Sequence, residues 1–275
     1  MPGESLGAAM EAARALEQKR IAGVFTNLGE NVKDRAEALQ VTGHYLEVLR
    51  RIHESGLNTE VSVKLTQLGL DLSPDFCFEN LDRIIAGEKK DAIVWVDMEA
   101  SSYVNATLDI YKRALVKYPN VGICLQAYLY RTQKDVEELL PMRPSIRLVK
   151  GAYKEPPEIA YPKKQDVDEN YFSLATGMMA AQASGRCLRA AFGTHDLKLI
   201  RRLAEHAAQH AFPKDNFEVQ MLYGIQREEQ ERLARDGYRS AVLVAYGSYW
   251  YPWFVRRLAE RPANLWFMVR NLFAS

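Results

Sequence analysis

Eight short apolar runs recur along the 275 residues of this chain, with longer amphipathic stretches between them. The runs span 22–27, 61–66, 93–98, 122–127, 146–151, 188–194, 217–222 and 241–246. Several are rich in Val and Ile and lack clean alternation, as strands covered on both faces should. The segments between them, at 35–54, 75–85, 103–117, 132–140, 171–184, 197–210 and 227–236, read as helices. Such repetition restricts the chain to a parallel sheet with helical crossovers. Eight strands predict a single α/β domain over 1–275, a (β/α)8 barrel, with a doubly wound sheet as the rival. A short helix at 6–19 precedes the first strand, and N-terminal helices of longer relatives are expected to be absent. The longest irregular piece, KEPPEIAYPKKQDVDE (154–169), follows the fifth strand, where a barrel would use it as an active-site wall.

Charge excludes one class of function. Lys+Arg number 36 and Asp+Glu 35, interspersed, for a net +1, which argues against a nucleic-acid surface. No apolar run approaches a membrane span and no signal-peptide pattern opens the chain. Cys77, Cys124 and Cys187 are far apart and form no CxxC pair. They predict buried, reduced thiols in a cytoplasmic protein, and no metal site.

In a barrel, chemistry collects at the C-terminal ends of the strands. The polar residues there form a set: Glu30, Lys64, Asp97, Gln126, Arg147, Lys150, Thr194, His195 and Asp196. Each alone has an ordinary structural role. Lys64 or Asp97 would be half of an ion pair, His195 with Asp196 would cap the next helix, and Glu30 would suit a helix dipole. Their common location changes the balance, because buried charges are costly unless they serve one another. Past the eighth strand, YGSYWYPWFVRRLAERP (246–262) predicts a turn and a helix entered at Pro252. Arg256, Arg257 and Glu260 then fall within about one helical turn. Arg256 with Glu260 would make a plain surface pair. Two adjacent arginines beside Tyr251 and Trp253 suit a carboxylate clamp, since guanidinium forks bind carboxylates bidentately.

The motifs NLGE, KLTQLGLDLS, VDME, LQAYLYRT, RLVKGAYKEP, GTHD, MLYGI and WYPWFVRRLAERPANL occur in that order over nearly the whole chain. Together they resemble the proline dehydrogenase family, FAD-dependent enzymes that oxidise L-proline to Δ1-pyrroline-5-carboxylate. The resemblance implies a distorted (β/α)8 TIM-like barrel with its last helix over the barrel mouth. It implies that Arg256, Arg257 and Lys64 hold the substrate carboxylate, and that Asp97 orders the site beside them. Arg147 would reach the flavin N5, the hydride acceptor. Met98, Gln126, Lys150, Gly151, Ala152, Thr194 and His195 would line the FAD. Tyr153, Leu222, Tyr251 and Glu260 would pack around the substrate or brace the arginines, and Glu30 would help hold the site shut. Reoxidation by membrane quinones is implied too, with transient contact at the inner membrane face and no spanning helix. The oligomeric state is not read from the sequence.

One stretch departs from the family. Where it usually reads YVPYG, this chain reads LVAYG (243–247), with Leu243 in place of a tyrosine that contacts the substrate ring. Hydroxyproline or another cyclic amino acid is therefore the alternative substrate. No GxGxxG follows the first strand, so a nicotinamide Rossmann site has no support. A Schiff base on Lys64 or Lys150, as in barrel aldolases, is the rival chemistry. It lacks the glycine-rich phosphate loops that such barrels carry after their last strands. A barrel kept only as a binding scaffold would have lost some strand-end polar groups, and all are present.

Overall fold

A computed structural model describes residues 1–29 and 31–250. Eight parallel strands close on themselves in chain order: β1 (Ala22–Asn27), β2 (Thr59–Val63), β3 (Val94–Val96), β4 (Val121–Gln126), β5 (Ser145–Val149), β6 (Arg189–Gly193), β7 (Glu218–Leu222) and β8 (Arg239–Tyr246). The seam is β1 against β8, paired from Ala22 with Ala241 to Asn27 with Tyr246. Closure removes every sheet edge and rules out the doubly wound alternative. The helices α2 (Arg35–Ser55), α3 (Pro74–Ala86), α4 (Val104–Lys117), α5 (Thr132–Leu139), α6 (Lys164–Ala183), α7 (Leu197–Gln209) and α8 (Arg227–Arg235) each follow one strand. The leading helix α1 (Leu6–Glu17) packs across β1 and β8. The expected last helix over the barrel mouth lies outside the described residues.

Local chemistry sets the helix boundaries. Asp34 caps α2 by accepting from Glu37 N at 2.9 Å, while Glu37 accepts in return from Lys33 N at 2.8 Å. Ser73 caps α3 with Pro74 in its first turn, and Asp196 caps α7. Apolar residues between strands and helices make one continuous outer core. The barrel interior is different. Its apolar part is small, built from Val24, Ile93, Trp95, Ala191 and Ala241 with Ala22 and Leu243 against them. The three thiols are buried and free, as expected.

Several boundaries differ from the sequence reading, most of them by one or two residues. The second strand is Thr59–Val63 and not 61–66, because residues 65–68 turn into a 3-10 segment ended by Gly69 at φ 93°. The sixth begins at Arg189, leaving Leu188 exposed outside it. The long irregular piece is shorter than expected: α6 begins at Lys164, so only its first part is loop. Lys164 and Asp168, both within that piece, pair one turn apart on the helix.

Candidate active site

Lys64 and Asp97 each fall one residue past a strand end, and Arg147 lies within β5. The barrel brings the three together: β2 and β3 are adjacent, and Arg147 reaches them from β5, beyond β4. Lys64 Nζ donates to Asp97 Oδ2 at 3.2 Å, and Arg147 Nη2 donates to Asp97 Oδ1. Ser62 Oγ donates to the same Oδ1 at 2.8 Å and accepts from Arg147 Nη2 at 2.7 Å. Arg147 is 4% exposed. Burial is the largest single influence on Asp97 and opposes its charge. Lys64, Arg147 and the Ser62 hydroxyl together outweigh burial and hold the carboxyl below its usual range. Burial likewise works against the Lys64 and Arg147 cations, and Asp97 foremost more than offsets it, leaving both above their usual values. The trio is thus ionised, one anion between two cations.

The neighbouring strand ends supply polar groups of a second kind. Gln126, at the end of β4, donates through Nε2 to Glu99 O at 3.1 Å. Its Oε1 is buried and has no hydrogen-bond partner. Thr194 Oγ1 accepts from Asp196 N at 3.1 Å. His195 Nε2 accepts from Leu222 N at 2.9 Å, so that nitrogen is unprotonated and the ring proton sits on Nδ1. Lys150 Nζ is shared by Asp168 of α6 and Asp196, the latter at 2.9 Å. Burial would raise the Asp196 carboxyl, but Lys150 and the backbone bond from Leu199 bring it down to about 2. Asp196 is therefore both helix cap and lysine anchor.

Met98 is buried beside Asp97, and Leu222 and Leu243 are register partners on β7 and β8. Gly151, Ala152 and Tyr153 open the loop after β5. Gly151 has φ 121°, and a Cβ there would lie 2.3 Å from the Tyr128 ring, so glycine is required. Glu155 fastens this loop to the one after β3 by accepting from Ser101 N at 2.8 Å and Ser101 Oγ at 2.6 Å. The loop is a braced wall. Glu30, Tyr251, Arg256, Arg257 and Glu260 lie outside the described residues.

Other polar residues of the interior escaped the sequence reading. Ser62, Glu60, Glu218, Gln220 and Arg189 are buried in strands, before the C-terminal ends where the polar set was sought. Their signal was available: polar residues at alternate positions of a buried strand, as in EVQML (218–222) and TEVSV (59–63), mark the face that points inward. Glu99 was also missed. It accepts from Thr66 N at 3.1 Å and Thr66 Oγ1 at 2.6 Å, tying the turn after β2 to β3.

Cationic and anionic groups in a shielded mouth, with a buried acceptor lacking its donor, suit a small zwitterion and a ring-bearing cofactor. No cluster that could hold a metal occurs among the described residues. A family model described as Proline dehydrogenase matches residues 9–270. Proline dehydrogenase 2 of Bacillus subtilis strain 168 is 38% identical over 271 residues, covering 98% of this chain and 88% of that protein. Proline dehydrogenase of Deinococcus radiodurans is 38% identical over 276 residues, covering 98% and 87%. Among solved structures, proline utilization A from Bdellovibrio bacteriovorus, inactivated by N-propargylglycine, superposes with a TM-score of 0.84 at 25% identity. That match covers 94% of this chain but only 32% of the longer protein.

Proposed function

The chain belongs to the proline dehydrogenase family and catalyses proline oxidation, the first step of proline catabolism; we propose that it does so with noncovalent FAD, as one domain over residues 1–275. The observation that carries the reading is the ionised Lys64–Asp97–Arg147 trio at the barrel mouth. Bound FAD would supply the hydride acceptor at its N5. The fit to that cofactor is supported by Gln126, whose buried Oε1 lacks a donor and suits a ring N–H. Thr194, His195, Met98, Lys150, Gly151 and Ala152 are the other residues proposed to line it.

The protein's own part follows from charge and position. Lys64, with Arg256 and Arg257 of the tail motif, binds the proline carboxylate. Asp97 holds Lys64 and Arg147 at fixed separation, so neither cation has to be ordered when substrate arrives. Arg147 would keep positive charge at the bound flavin, in a site where burial strengthens every electrostatic contact. The proline ring nitrogen must be unprotonated for its electrons to assist hydride loss. Two nearby cations favour that neutral amine. Tyr153, Leu222, Leu243, Tyr251 and Glu260 shape the space around the ring, and Glu30 helps to close it.

We further infer a quinone as electron acceptor, met at the inner membrane face of a cytoplasmic enzyme, on the strength of the family resemblance. No helix among the described residues is long and apolar enough to cross a membrane. Acid precipitation of freshly purified protein tests the cofactor assignment. One FAD per chain in the supernatant is expected, and a colourless protein that cannot be reconstituted with FAD would overturn it.

A further inference from the structure

Below the trio, a second set of charges runs through the barrel. Arg147 Nη1 donates to Gln220 Oε1 at 3.3 Å, and Gln220 Nε2 donates to Glu218 Oε1 at 2.6 Å. The other Glu218 oxygen accepts from Arg189 Nη2 at 2.5 Å, and Arg189 Nη1 donates to Glu60 Oε1 at 2.5 Å. Glu60 Oε2 in turn accepts from Trp95 Nε1 at 2.8 Å. The Trp95 ring lies 5.1 Å from the Arg147 guanidinium carbon and 5.5 Å from that of Arg189. Cations and anions alternate along this line, from Lys64, Asp97 and Arg147 to Glu218, Arg189 and Glu60, with Gln220 as the single neutral link.

A glutamine amide can present either its oxygen or its nitrogen. Glu218, ionised beside Arg189, can only accept, so it takes the Gln220 NH2 group and leaves the oxygen for Arg147. The guanidinium is then held at both ends: Nη2 by Ser62 and Asp97, Nη1 by Gln220. Without the second anchor it keeps its charge but can swing about the first. We propose that Gln220, oriented by Glu218, is a positioning residue for Arg147 and fixes the plane of that guanidinium in the reacting geometry. Its backbone serves the same region, since Gln220 O accepts from Thr194 N at 3.1 Å. The proposal rests on the assignment of Arg147 to the flavin side of the site.

Gln220→Met keeps length and removes the acceptor, while Gln220→Glu keeps an acceptor and cannot donate to Glu218 unless protonated. In FAD-loaded Gln220→Met, the limiting rate of flavin reduction at saturating L-proline is expected to fall at least about tenfold. The KM for proline should stay within about threefold, because Lys64 is untouched. In Gln220→Glu, the rate relative to the wild type should recover as pH is lowered, since only the protonated carboxyl can donate to Glu218 while accepting from Arg147. A readout independent of turnover is the Arg147 Nη signal in 15N-arginine spectra of the protein as purified, assigned by its loss in Arg147→Lys. Its exchange should quicken in Gln220→Met. Wild-type flavin that L-proline cannot reduce would overturn the functional reading itself. A wild type that is reduced, with Gln220→Met equal to it in rate and Nη exchange, would overturn only the positioning role. Equal losses in rate and KM, or a ratio for Gln220→Glu independent of pH, would reduce Gln220 to core packing and overturn it too.

Discussion

Leu243 sits on β8 in register with Leu222 of β7 and Val24 of β1, packed against the apolar part of the interior. It faces inward, as substrate contact requires. A tyrosine at this position would bring a hydroxyl and a ring edge to that side, whereas leucine leaves it shorter and wholly apolar. Apolar pockets discriminate an added hydroxyl by only ~100-fold. Relaxed selectivity is therefore expected, with proline still the better substrate. Leu243→Tyr should lower the KM for proline and depress turnover of 4-hydroxyproline. Steady-state kinetics with both substrates checks this, and an unchanged ratio of kcat/KM would remove Leu243 from substrate contact. At this scale, Lys64, Asp97 and Arg147 were legible because charge in or beside an apolar run is conspicuous. Ser62 and Gln220 were passed over, since a small or neutral polar residue inside a buried strand shows itself only through its alternation with Glu60 or Glu218.

Strands and helices were legible to within a few residues wherever one period ran unbroken, as in α2 and β4. Errors gathered where a strand gives way to the site. β2 stops at Val63, whose carbonyl still accepts the ladder bond from Asp97 N at 2.8 Å; beyond it the chain turns at Lys64 into the 3-10 segment. Apolar composition alone does not reveal that turn, since Leu65 and Leu68 are fully buried within it. The interior also depends on one small residue. A Cβ on Gly122 of β4 would lie 2.5 Å from Cε3 and 2.7 Å from Cζ3 of Trp95, whose ring is fully buried. Gly122→Ala must displace that ring, and with it the floor under Arg147 and Arg189. Overpacking of this kind costs ~1–3 kcal/mol. At a few degrees per kcal/mol for a chain of this size, calorimetry should show Tm lower by about 2–10 °C. An unchanged Tm would mean that the ring has room to give.

The whole molecule is a barrel with a charged interior, and that charge sets its response to pH. Asp97 and Glu218 both titrate below the usual carboxylate range, each because neighbouring cations outweigh burial. Their contribution is present above the unfolded value of about 4 and is lost as pH falls through the folded values. Lys64 is raised, so its contribution is complete below about 10.4 and is lost as pH rises through its folded value. Glu99, raised by burial against the Thr66 bonds, works in the opposite sense on the acid side and blunts the fall. A Tm profile that is flat from about pH 6 to 9 and falls on both sides is expected; a maximum near pH 4 would contradict the assignment. The barrel itself was legible from the eight-fold rhythm, because parallel strands need crossovers and crossovers leave a period. Its closure followed from the count of eight strands, although the pairing of β1 with β8 joins residues more than 200 apart. We propose that this charged mouth oxidises L-proline through a bound flavin. Anaerobic addition of L-proline to the freshly purified protein, loaded with FAD, is the test. The flavin absorbance should bleach and return when a quinone is admitted; absorbance unchanged by L-proline in a protein that carries FAD would contradict it.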